Sequence, residues 1–296
     1  MPSTKLPFAQ PDYRVTVTDV PYRQVDGRIL LRSLIYQPEG EGPFPAVVCV
    51  HGGAWMFGDR TATQGFADMI AACGVVVMAI DFRMAPRDPY PSSLADINYA
   101  VRWLKQNAAM FSVEPTAIGG LGVSSGGHLI LLSALRPFDP RYAADELPEA
   151  VREDARLAFV ITCSGVLDPL DRYRMAQQSG DQEIIACHDA YFRDSDVMCE
   201  ASPPLILERG EKVDLPPALF FQGSEDTRVP PGTAQRMAEL CIAAGGQAEA
   251  VIYPGAGHAI GSWSRLELFD MLRRTMSFIG SSVSGAHADL NPSSGN

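Results

Sequence analysis

The sequence has little positive charge, and this shortage excludes two classes of partner. It contains 24 Lys and Arg residues against 35 Asp and Glu residues, which gives a formal net charge of -11. A protein that binds nucleic acid or an anionic membrane surface needs cationic side chains to neutralise phosphates, and here they are outnumbered. We therefore expect neither nucleic acid nor a membrane as a partner.

Long hydrophobic runs are also missing. No apolar run reaches the roughly 20 residues that a membrane-spanning helix needs, and the first residues lack the apolar segment of a secretory signal peptide. The composition, 46% hydrophobic and 20% charged residues, is typical of a globular domain. The sequence therefore predicts a cytoplasmic protein.

Six cysteines are present, but without the spacing of a metal site or a redox motif. They stand at positions 49, 73, 163, 187, 199 and 241. Cys49, Cys73 and Cys163 lie in or beside apolar runs, which favours buried, reduced thiols over a disulfide framework. A phosphate loop, a dinucleotide fingerprint and a metal-type His/Asp/Glu cluster are also missing. We therefore expect no metal and no cofactor.

Strand-like and helix-like segments alternate along most of the chain. Residues 13–20 and 28–36 alternate in polarity on either side of a turn, which predicts an antiparallel pair. Apolar runs that follow are typical of strands buried on both faces. These strands are predicted at 46–50, 74–80, 116–121, 157–163, 217–222 and 249–253, with helices at 61–73, 92–109, 126–135, 231–245 and 263–279. This alternation predicts an α/β fold with a largely parallel sheet.

Three segments depart from the alternation. Residues 164–214 form a long irregular stretch, which we interpret as a lid or cap insertion, with a surface excursion without function as the alternative. Residues 281–296 are small and polar and predict a disordered tail. The first dozen residues predict an irregular arm. The predicted organisation is one domain over residues 1–280 that carries the insertion.

The stretch Gly122-Val-Ser-Ser-Gly126 lies between a predicted strand and an apolar helix. It has the G-x-S-x-G pattern of a nucleophile elbow, in which a serine occupies a strained turn and projects outward. The two glycines would allow the strand and the helix to approach each other closely. Centring the pattern on Ser125 would put Val123 at a glycine position, so Ser124 is the predicted nucleophile. By itself, the pattern also fits an ordinary glycine-rich turn.

Three further loops that follow predicted strands complete the chemistry of a serine hydrolase. Residues 51–55, His-Gly-Gly-Ala-Trp, can offer backbone N–H groups to an oxyanion, although they also fit a strand-ending turn. Asp226 can orient a histidine or cap a helix, and His258 lies in a glycine loop. The order Ser, Asp, His is that of the α/β-hydrolases. The predicted triad is Ser124, Asp226 and His258, and the predicted oxyanion hole uses the amides of Ser125 and of Gly53 with Gly52 or Ala54.

These stretches resemble the α/β-hydrolase carboxylesterases of the hormone-sensitive-lipase-like and feruloyl-esterase/arylformamidase-like families. The resemblance covers about residues 44–280 and also includes Asp81-Phe-Arg-Met-Ala-Pro86, Tyr90-Pro91 and Ala100-Val-Arg-Trp103. It implies an eight-stranded, mostly parallel sheet flanked by helices, and a serine carboxylesterase that acts through an acyl-enzyme. The short segment before His51 favours the feruloyl-esterase-like branch.

This sequence departs from the family pattern at two places near the predicted site. Ala54 stands where the family carries a third glycine, which leaves the choice of oxyanion amides open. Val123 precedes the nucleophile where lipase-like members carry an acidic residue. We further expect Asp81 and Arg83 to form an ion pair beneath the oxyanion loop, and His128 to pack or to hydrogen-bond locally.

The expected substrate is an ester with a small or medium acyl group, including esters with an aromatic portion. Long acyl chains need an extended apolar tunnel, and the insertion carries many charged side chains. Its scattered apolar side chains, with the tryptophan of the oxyanion loop, predict a compact pocket. The predicted substrate contacts are Trp55, Met175, His188, Tyr191 and Phe192.

Other functions fit the same residues. Within the enzymes, the alternatives are an arylformamidase, an amide or lactone hydrolase, and a prolyl-oligopeptidase-like peptidase. From a different class comes a non-catalytic ligand-binding protein on a hydrolase scaffold, against which the presence of His258 counts. The expected partner is a small-molecule ester, and a homodimer is the assembly to test. Ser125 is expected to contribute its amide rather than its hydroxyl.

Overall fold

The computed structural model describes residues 13–143, 147 and 153–289, with side chains to residue 284. Its sheet has eight strands in the order β1-β2-β4-β3-β5-β6-β7-β8. All eight strands were predicted, with ends displaced by a few residues. They are β1 (Val15–Val25), β2 (Ile29–Pro38), β3 (Phe44–Val50), β4 (Val76–Ile80), β5 (Val113–Val123), β6 (Val160–Cys163), β7 (Ala218–Gly223) and β8 (Ala248–Tyr253).

The sheet is parallel from β4 to β8 and antiparallel at the other edge. Strand β2 pairs antiparallel with both β1 and β4, and this confirms the predicted antiparallel pair. All remaining neighbours pair in parallel. Every residue of β4, β6 and β7 is buried, as a strand covered on both faces requires. The carboxyl ends of β3, β5, β6, β7 and β8 therefore meet at one edge of the sheet.

Helices cover both faces of the sheet and bury two separate apolar cores. The predicted helices correspond to α1 (Gln64–Ala72), α2 (Ser92–Gln106), α3 (Ser125–Leu135), α8 (Thr233–Ala243) and α9 (Arg265–Asp289). Alternate residues of β3 divide between the cores: Val48 packs in one and Val47 in the other. Helices α2, α3 and α8 contribute to the first core, and α1 and α9 to the second. None of the described helices has the length and apolar character needed to cross a bilayer.

The insertion at 164–214 is helical, which corrects the prediction of an irregular segment. It contains four short helices: α4 (Pro169–Ser179), α5 (Gln182–Phe192), α6 (Ser195–Glu200) and α7 (Pro203–Glu208). Asp168, Asp181 and Asp194 precede the first three, and each side chain accepts a hydrogen bond from an N–H of the first turn. These aspartates were a sequence signal for the starts of helices. It was missed because the helices are too short to show a clear periodicity.

The predicted disordered tail is also corrected in part. Helix α9 continues through residues 281–289, and Val283 packs against the second core, so the apolar face of the helix extends further than its polar composition suggested. Residues 290–296 of the predicted tail and residues 1–12 of the predicted arm lie outside the described residues.

Glu200, the last residue of α6, attaches the insertion to the body of the protein. Its carboxylate accepts hydrogen bonds from Tyr90 Oη at 2.7 Å, from Arg141 at 2.9 Å and from Arg136. Burial acts to raise the pKa of Glu200, but the bonds from Arg141 and Tyr90 and the charge of Arg136 together hold it below its ordinary value. The folded state therefore favours the ionised carboxylate.

We expect Glu200→Gln to lower the free energy of unfolding at pH 7 by about 1 kcal/mol, since the side chain is 37% exposed. Because the pKa of Glu200 is lower in the folded than in the unfolded state, its contribution is present above the unfolded pKa of about 4.3. It is lost as the pH falls through the folded pKa. In urea unfolding, the free energies of unfolding of the variant and of the unsubstituted protein should therefore differ at pH 7 and become equal near about pH 3.

Glu249→Gln is the matched control, because Glu249 is 60% exposed and lies 3.3 Å from its partner Arg274. This variant should unfold within about 0.5 kcal/mol of the unsubstituted protein. A Glu200→Gln variant that is as stable as the unsubstituted protein at pH 7 would contradict the conclusion that Glu200 attaches the insertion to the body.

Candidate active site

Ser124 occupies a strained turn between β5 and α3. Its φ and ψ are 53° and -121°, a conformation that side-chain-bearing residues rarely adopt. Its N–H donates to the carbonyl of Cys163 at 3.0 Å, and its own carbonyl accepts from the N–H groups of Gly127 and Val166, both at 2.9 Å. The residues after β6 thus hold the turn from one side.

The two glycines of the elbow allow the close packing that this turn requires. A Cβ on Gly122 would lie 2.4 Å from the carbonyl oxygen of Gly126. A Cβ on Gly126 would lie 2.2 Å from the carbonyl oxygen of Val50, at the end of β3. Both distances are far inside van der Waals contact. The geometry agrees with the register of the pattern that is centred on Ser124.

The structure brings Ser124, His258 and Asp226 into one hydrogen-bonded chain. The Ser124 hydroxyl lies 3.0 Å from Nε2 of His258. Nδ1 of the same ring lies 2.8 and 3.0 Å from the two carboxylate oxygens of Asp226. This carboxylate fixes a proton on Nδ1 and leaves the Nε2 lone pair for the serine hydroxyl. The arrangement can transfer the serine proton to the histidine.

The loop after β7 holds Asp226 in place. The Asp226 carboxylate also accepts hydrogen bonds from the N–H groups of Arg228 at 2.8 Å and Val229 at 3.0 Å. Its side chain is 1% exposed, whereas the neighbouring Glu225 faces solvent. The carboxylate is thus aimed at His258 by backbone donors of its own loop.

The loop after β8 positions His258. The carbonyl of Gly257 accepts a hydrogen bond from the indole N–H of Trp263 at 2.9 Å. The carbonyl of Ala256 accepts from the N–H of Glu225 at 2.9 Å, which ties the histidine loop to the acid loop. The imidazole keeps 22% of its side-chain surface exposed. It is therefore accessible from solvent while its backbone is held.

The predicted oxyanion loop lies against the elbow in a strained conformation. A Cβ on Gly52 would lie 3.0 Å from Cβ of Ser124. The three residues that follow all have positive φ: 112° for Gly53, 51° for Ala54 and 62° for Trp55. Within the part of the chain that is described, the N–H groups of Gly53, Ala54 and Ser125 have no hydrogen-bond acceptor. These amides can donate to an oxyanion at the elbow.

Four of the five predicted substrate contacts are buried, which contradicts their expected role. Trp55, His188, Tyr191 and Phe192 are each at most 1% exposed. The indole of Trp55 stacks on Tyr191 with 5.4 Å between ring centroids and meets Phe192 edge-on at 5.0 Å. These aromatic side chains pack the insertion against the oxyanion loop, and none has surface left for a substrate. Met175 alone remains partly exposed.

Phe57 is an exposed aromatic residue that the sequence reasoning did not select. It is 58% exposed, and its N–H donates to the carbonyl of Gly53 at 2.9 Å, which places it on the oxyanion loop. An exposed ring beside the predicted site is a better surface for a substrate than the buried Trp55. Its position two residues after Trp55 was the only sequence signal.

The predicted ion pair between Asp81 and Arg83 is not formed. Asp81 pairs with Arg60 at 2.8 Å, and Arg83 pairs with the buried Asp96 at 3.0 Å. Each of the two side chains instead meets an oppositely charged partner that lies elsewhere in the fold.

The insertion also contacts the acid loop through a buried arginine. Arg172 of α4 is 3% exposed, and its Nε donates to the carbonyl of Arg228 at 2.7 Å. Burial, with the nearby charge of Arg228, lowers the pKa of Arg172 to about 10. Arg228 in turn lies 3.2 Å from Asp181 at the start of α5. Helices α4 and α5 thus support the loop that carries Asp226.

Residues 34–240 match the family model described as BD-FAE, which is more than half of the chain. The chain belongs to the BD-FAE family. Residues 198–285, which include Asp226 and His258, also match the model of the prolyl oligopeptidase family.

Among curated proteins, this BD-FAE member is 34% identical over 221 residues to Esterase LipC of Mycobacterium tuberculosis. The match covers 73% of this chain and 53% of LipC. Probable carboxylic ester hydrolase LipM of the same organism is 32% identical over 128 residues, which are 43% of this chain and 29% of LipM. The chain thus spans about half the length of LipC and less of LipM.

Solved structures show the α/β-hydrolase fold. The esterase Est2 of Thermogutta terrifontis, with butyrate bound, is 26% identical with a TM-score of 0.68 and covers 93% of this chain and 96% of its own. Esterase B of Lactobacillus rhamnosis is 20% identical with a TM-score of 0.73 and covers 95% and 89%. The predicted fold and the predicted resemblance to this superfamily of esterases are confirmed.

Proposed function

We propose that this BD-FAE protein is a serine carboxylesterase that hydrolyses small- to medium-acyl esters through an acyl-enzyme. The observation that carries the proposal is the continuous chain from the Ser124 hydroxyl through His258 to Asp226, with 3.0 and 2.8 Å between successive partners. A protein that only bound ligands would not need this alignment. The triad also favours catalysis over the non-catalytic alternative.

In the first half of the reaction, Ser124 Oγ attacks the ester carbonyl carbon while Nε2 of His258 takes the hydroxyl proton. The carbonyl oxygen becomes an oxyanion, which accepts hydrogen bonds from the amide of Ser125 and from Gly53 with Gly52 or Ala54. The C–O bond to the alcohol then breaks, and His258 gives its proton to the leaving alkoxide. The acyl group remains on Ser124.

In the second half, His258 takes a proton from water as the water oxygen attacks the acyl carbon. The bond to Ser124 Oγ breaks, and the proton returns to the serine. Asp226 stays ionised throughout and stabilises the imidazolium that forms in each half. The start of α3 lies behind Ser124, so the positive end of the helix dipole favours the developing negative charge.

The comparisons support ester chemistry over the alternatives. LipC and LipM are named an esterase and a carboxylic ester hydrolase, and Est2 is named an esterase. Formamides, lactones and other amides could react with the same triad. The match of residues 198–285 to the prolyl oligopeptidase family keeps peptides among the substrates to be assayed.

The test of the activity is a fluorophosphonate label followed by peptide mass mapping, together with hydrolysis of p-nitrophenyl acetate. We expect the label on Ser124, and Ser124→Ala should lose the label and reduce hydrolysis by at least about 10³-fold. A folded protein that takes no label and hydrolyses no ester would refute the proposal. Faster turnover of formamides, lactones or peptides than of esters would reassign the substrate.

Asp226→Asn should lower kcat by about 10⁴-fold, because an amide can hold the imidazole in the wrong tautomer. Glu225→Gln is the matched control: it removes the adjacent carboxylate, which faces solvent, and should leave kcat within about twofold. The assay is steady-state hydrolysis of p-nitrophenyl acetate by both purified variants. Comparable losses in the two variants would overturn the assignment of the acid.

The preference for a short acyl group follows from how the insertion uses its aromatic residues. Tyr191 and Phe192 pack against Trp55 and are not available to a substrate. The hydrogen bonds of Glu200 and Arg172 hold the insertion to the body. We assign the contacts with the acyl group to the exposed ring of Phe57 and to the partly exposed Met175. Structures of Est2 were solved with propionate and with butyrate bound, which agrees with an acyl site of this size.

Across a series of p-nitrophenyl esters, kcat/KM should therefore peak between about C2 and C6 and fall steeply beyond C8, because a longer acyl chain would have to displace the insertion that is packed on the body. Each CH₂ that stays in water also gains none of the about 0.8 kcal/mol that burial would give. Phe57→Ala should reduce kcat/KM for the best ester by about tenfold, and Phe138→Ala, which alters a similarly exposed ring just beyond the C-terminal end of α3, should not. A profile that rises to C12 would show an acyl tunnel instead.

Three further expectations accompany the proposal. A cytoplasmic location and a homodimeric assembly stay predictions from the sequence. The organisation as one domain with a cap insertion also stays a proposal, supported by the packing of α4–α7 on the first core. Light scattering of the purified protein would measure its oligomeric state.

A further inference from the structure

We infer that two side chains on α3, the Ser125 hydroxyl and the His128 imidazole, are positioning residues that hold the oxyanion loop through Trp55. The inference rests on the proposed function. Ser125 was expected to contribute only its amide, and His128 only local packing. Their observed contacts give both side chains a role in the same reaction.

The polar groups of Trp55 are bonded to two other parts of the chain. Its N–H donates to the Ser125 hydroxyl at 3.3 Å, and its indole N–H donates to Nδ1 of His128 at 3.2 Å. Its carbonyl accepts from the N–H of Ala85 at 3.1 Å. Two of the three bonds therefore lead to α3, the helix that begins directly after Ser124.

The oxyanion loop needs such bonds because its conformation is unfavourable. Ala54 and Trp55 both have positive φ, a backbone conformation that L-residues rarely adopt. Strain of this kind persists only where the surroundings over-determine the conformation. The N–H of Ala54 lies inside this strained segment. Relaxation of Trp55 would therefore rotate the amides that we assign to the oxyanion.

The environment of His128 fixes which of its nitrogens accepts the bond from Trp55. Its Nε2 lies 2.9 Å from the carbonyl of Ala201, an acceptor, so Nε2 carries the proton. Nδ1 is then free to accept the indole N–H. The ring is fully buried, and this burial lowers its pKa to about 4, so it is neutral at pH 7. The imidazole therefore links the insertion, α3 and the oxyanion loop.

One helix thus sets the distance between the nucleophile and the oxyanion donors. The amide of Ser125 is itself an assigned donor, and its hydroxyl orients the opposite donors by way of Trp55. Because errors of about 1 Å in catalytic geometry can cost about 10²-fold in rate, loss of either contact should affect kcat. Substrate binding, which does not depend on the oxyanion, should change little.

The experiment compares Ser125→Ala and His128→Phe with the matched control Ser133→Ala. Ser133 lies on the same helix and is fully buried, and within the described residues its hydroxyl has no hydrogen-bond partner. With p-nitrophenyl butyrate, the two test variants should lose about tenfold in kcat, with KM within about twofold. The control should keep the kcat of the unsubstituted protein.

Two further readouts separate positioning from general damage. The midpoint of the pH dependence of kcat/KM should not move in either variant, because the triad is untouched. Affinity for a trifluoromethyl ketone, which forms an oxyanion on Ser124, should fall by about the same factor as kcat. His128→Asn, whose amide oxygen can replace Nδ1 as acceptor, should recover most of the lost rate.

The inference fails if both variants match Ser133→Ala in kcat, or if their loss comes with a displaced pH midpoint. Should His128→Phe not fold, Ser125→Ala still decides between these results. If the unsubstituted protein hydrolyses no ester, the proposed function fails by itself. The rate of fluorophosphonate labelling of Ser124 in the variants, relative to Ser133→Ala, then decides the inference: a slower rate supports it, and an equal rate refutes it.

Discussion

The strained turn at Ser124 is the constraint on which the other features of the site depend. The chain passes from a buried strand into a helix within one residue. As a result, α3 lies so close to β3 and β5 that the residues in contact have no room for a Cβ. That closeness places the first turn of α3 beside the oxyanion loop, where Ser125 and His128 reach Trp55. It also places the amide-rich start of the helix behind Ser124, the proposed nucleophile. The far end of α3 meets Glu200 of the insertion through Arg136.

The strand order brings the loops of the candidate site together. Strands β3 and β5 are neighbours, so the oxyanion loop and the elbow lie side by side. Strands β7 and β8 are also neighbours, and so are Asp226 and His258, which follow them. Only β6 separates the two pairs. A histidine that approaches from the far side of β6 reaches the serine hydroxyl because the loop after β8 folds back over the end of the sheet.

The insertion serves as part of the scaffold. Its aromatic residues enclose Trp55, the carbonyl of Ala201 accepts a hydrogen bond from Nε2 of His128, and Arg172 supports the acid loop. Large aromatic side chains bury the most apolar area per residue, so packing Tyr191 and Phe192 into the core stabilises the insertion more than leaving them exposed would. This explains why the aromatic residues predicted to contact the substrate are buried and why an exposed ring, Phe57, lies on the body.

The sequence by itself determined the features that depend on local geometry. The eight strands follow from their apolar periodicity, the elbow from its glycines, and the candidate triad from residues at strand ends. The aspartate caps at 168, 181 and 194 are equally local signals, which identify helices in the insertion.

Only the tertiary structure decided which side chains are buried and which groups pair. Trp55 and Phe57 are two residues apart, and one is enclosed while the other is exposed, because segments more than 130 residues downstream cover only the first. Likewise Asp81 binds Arg60 rather than Arg83, and Ser125 meets Trp55 across 70 residues of sequence. Burial and pairing depend on the whole packed chain, and no local sequence pattern shows which distant segment will pack against a given residue.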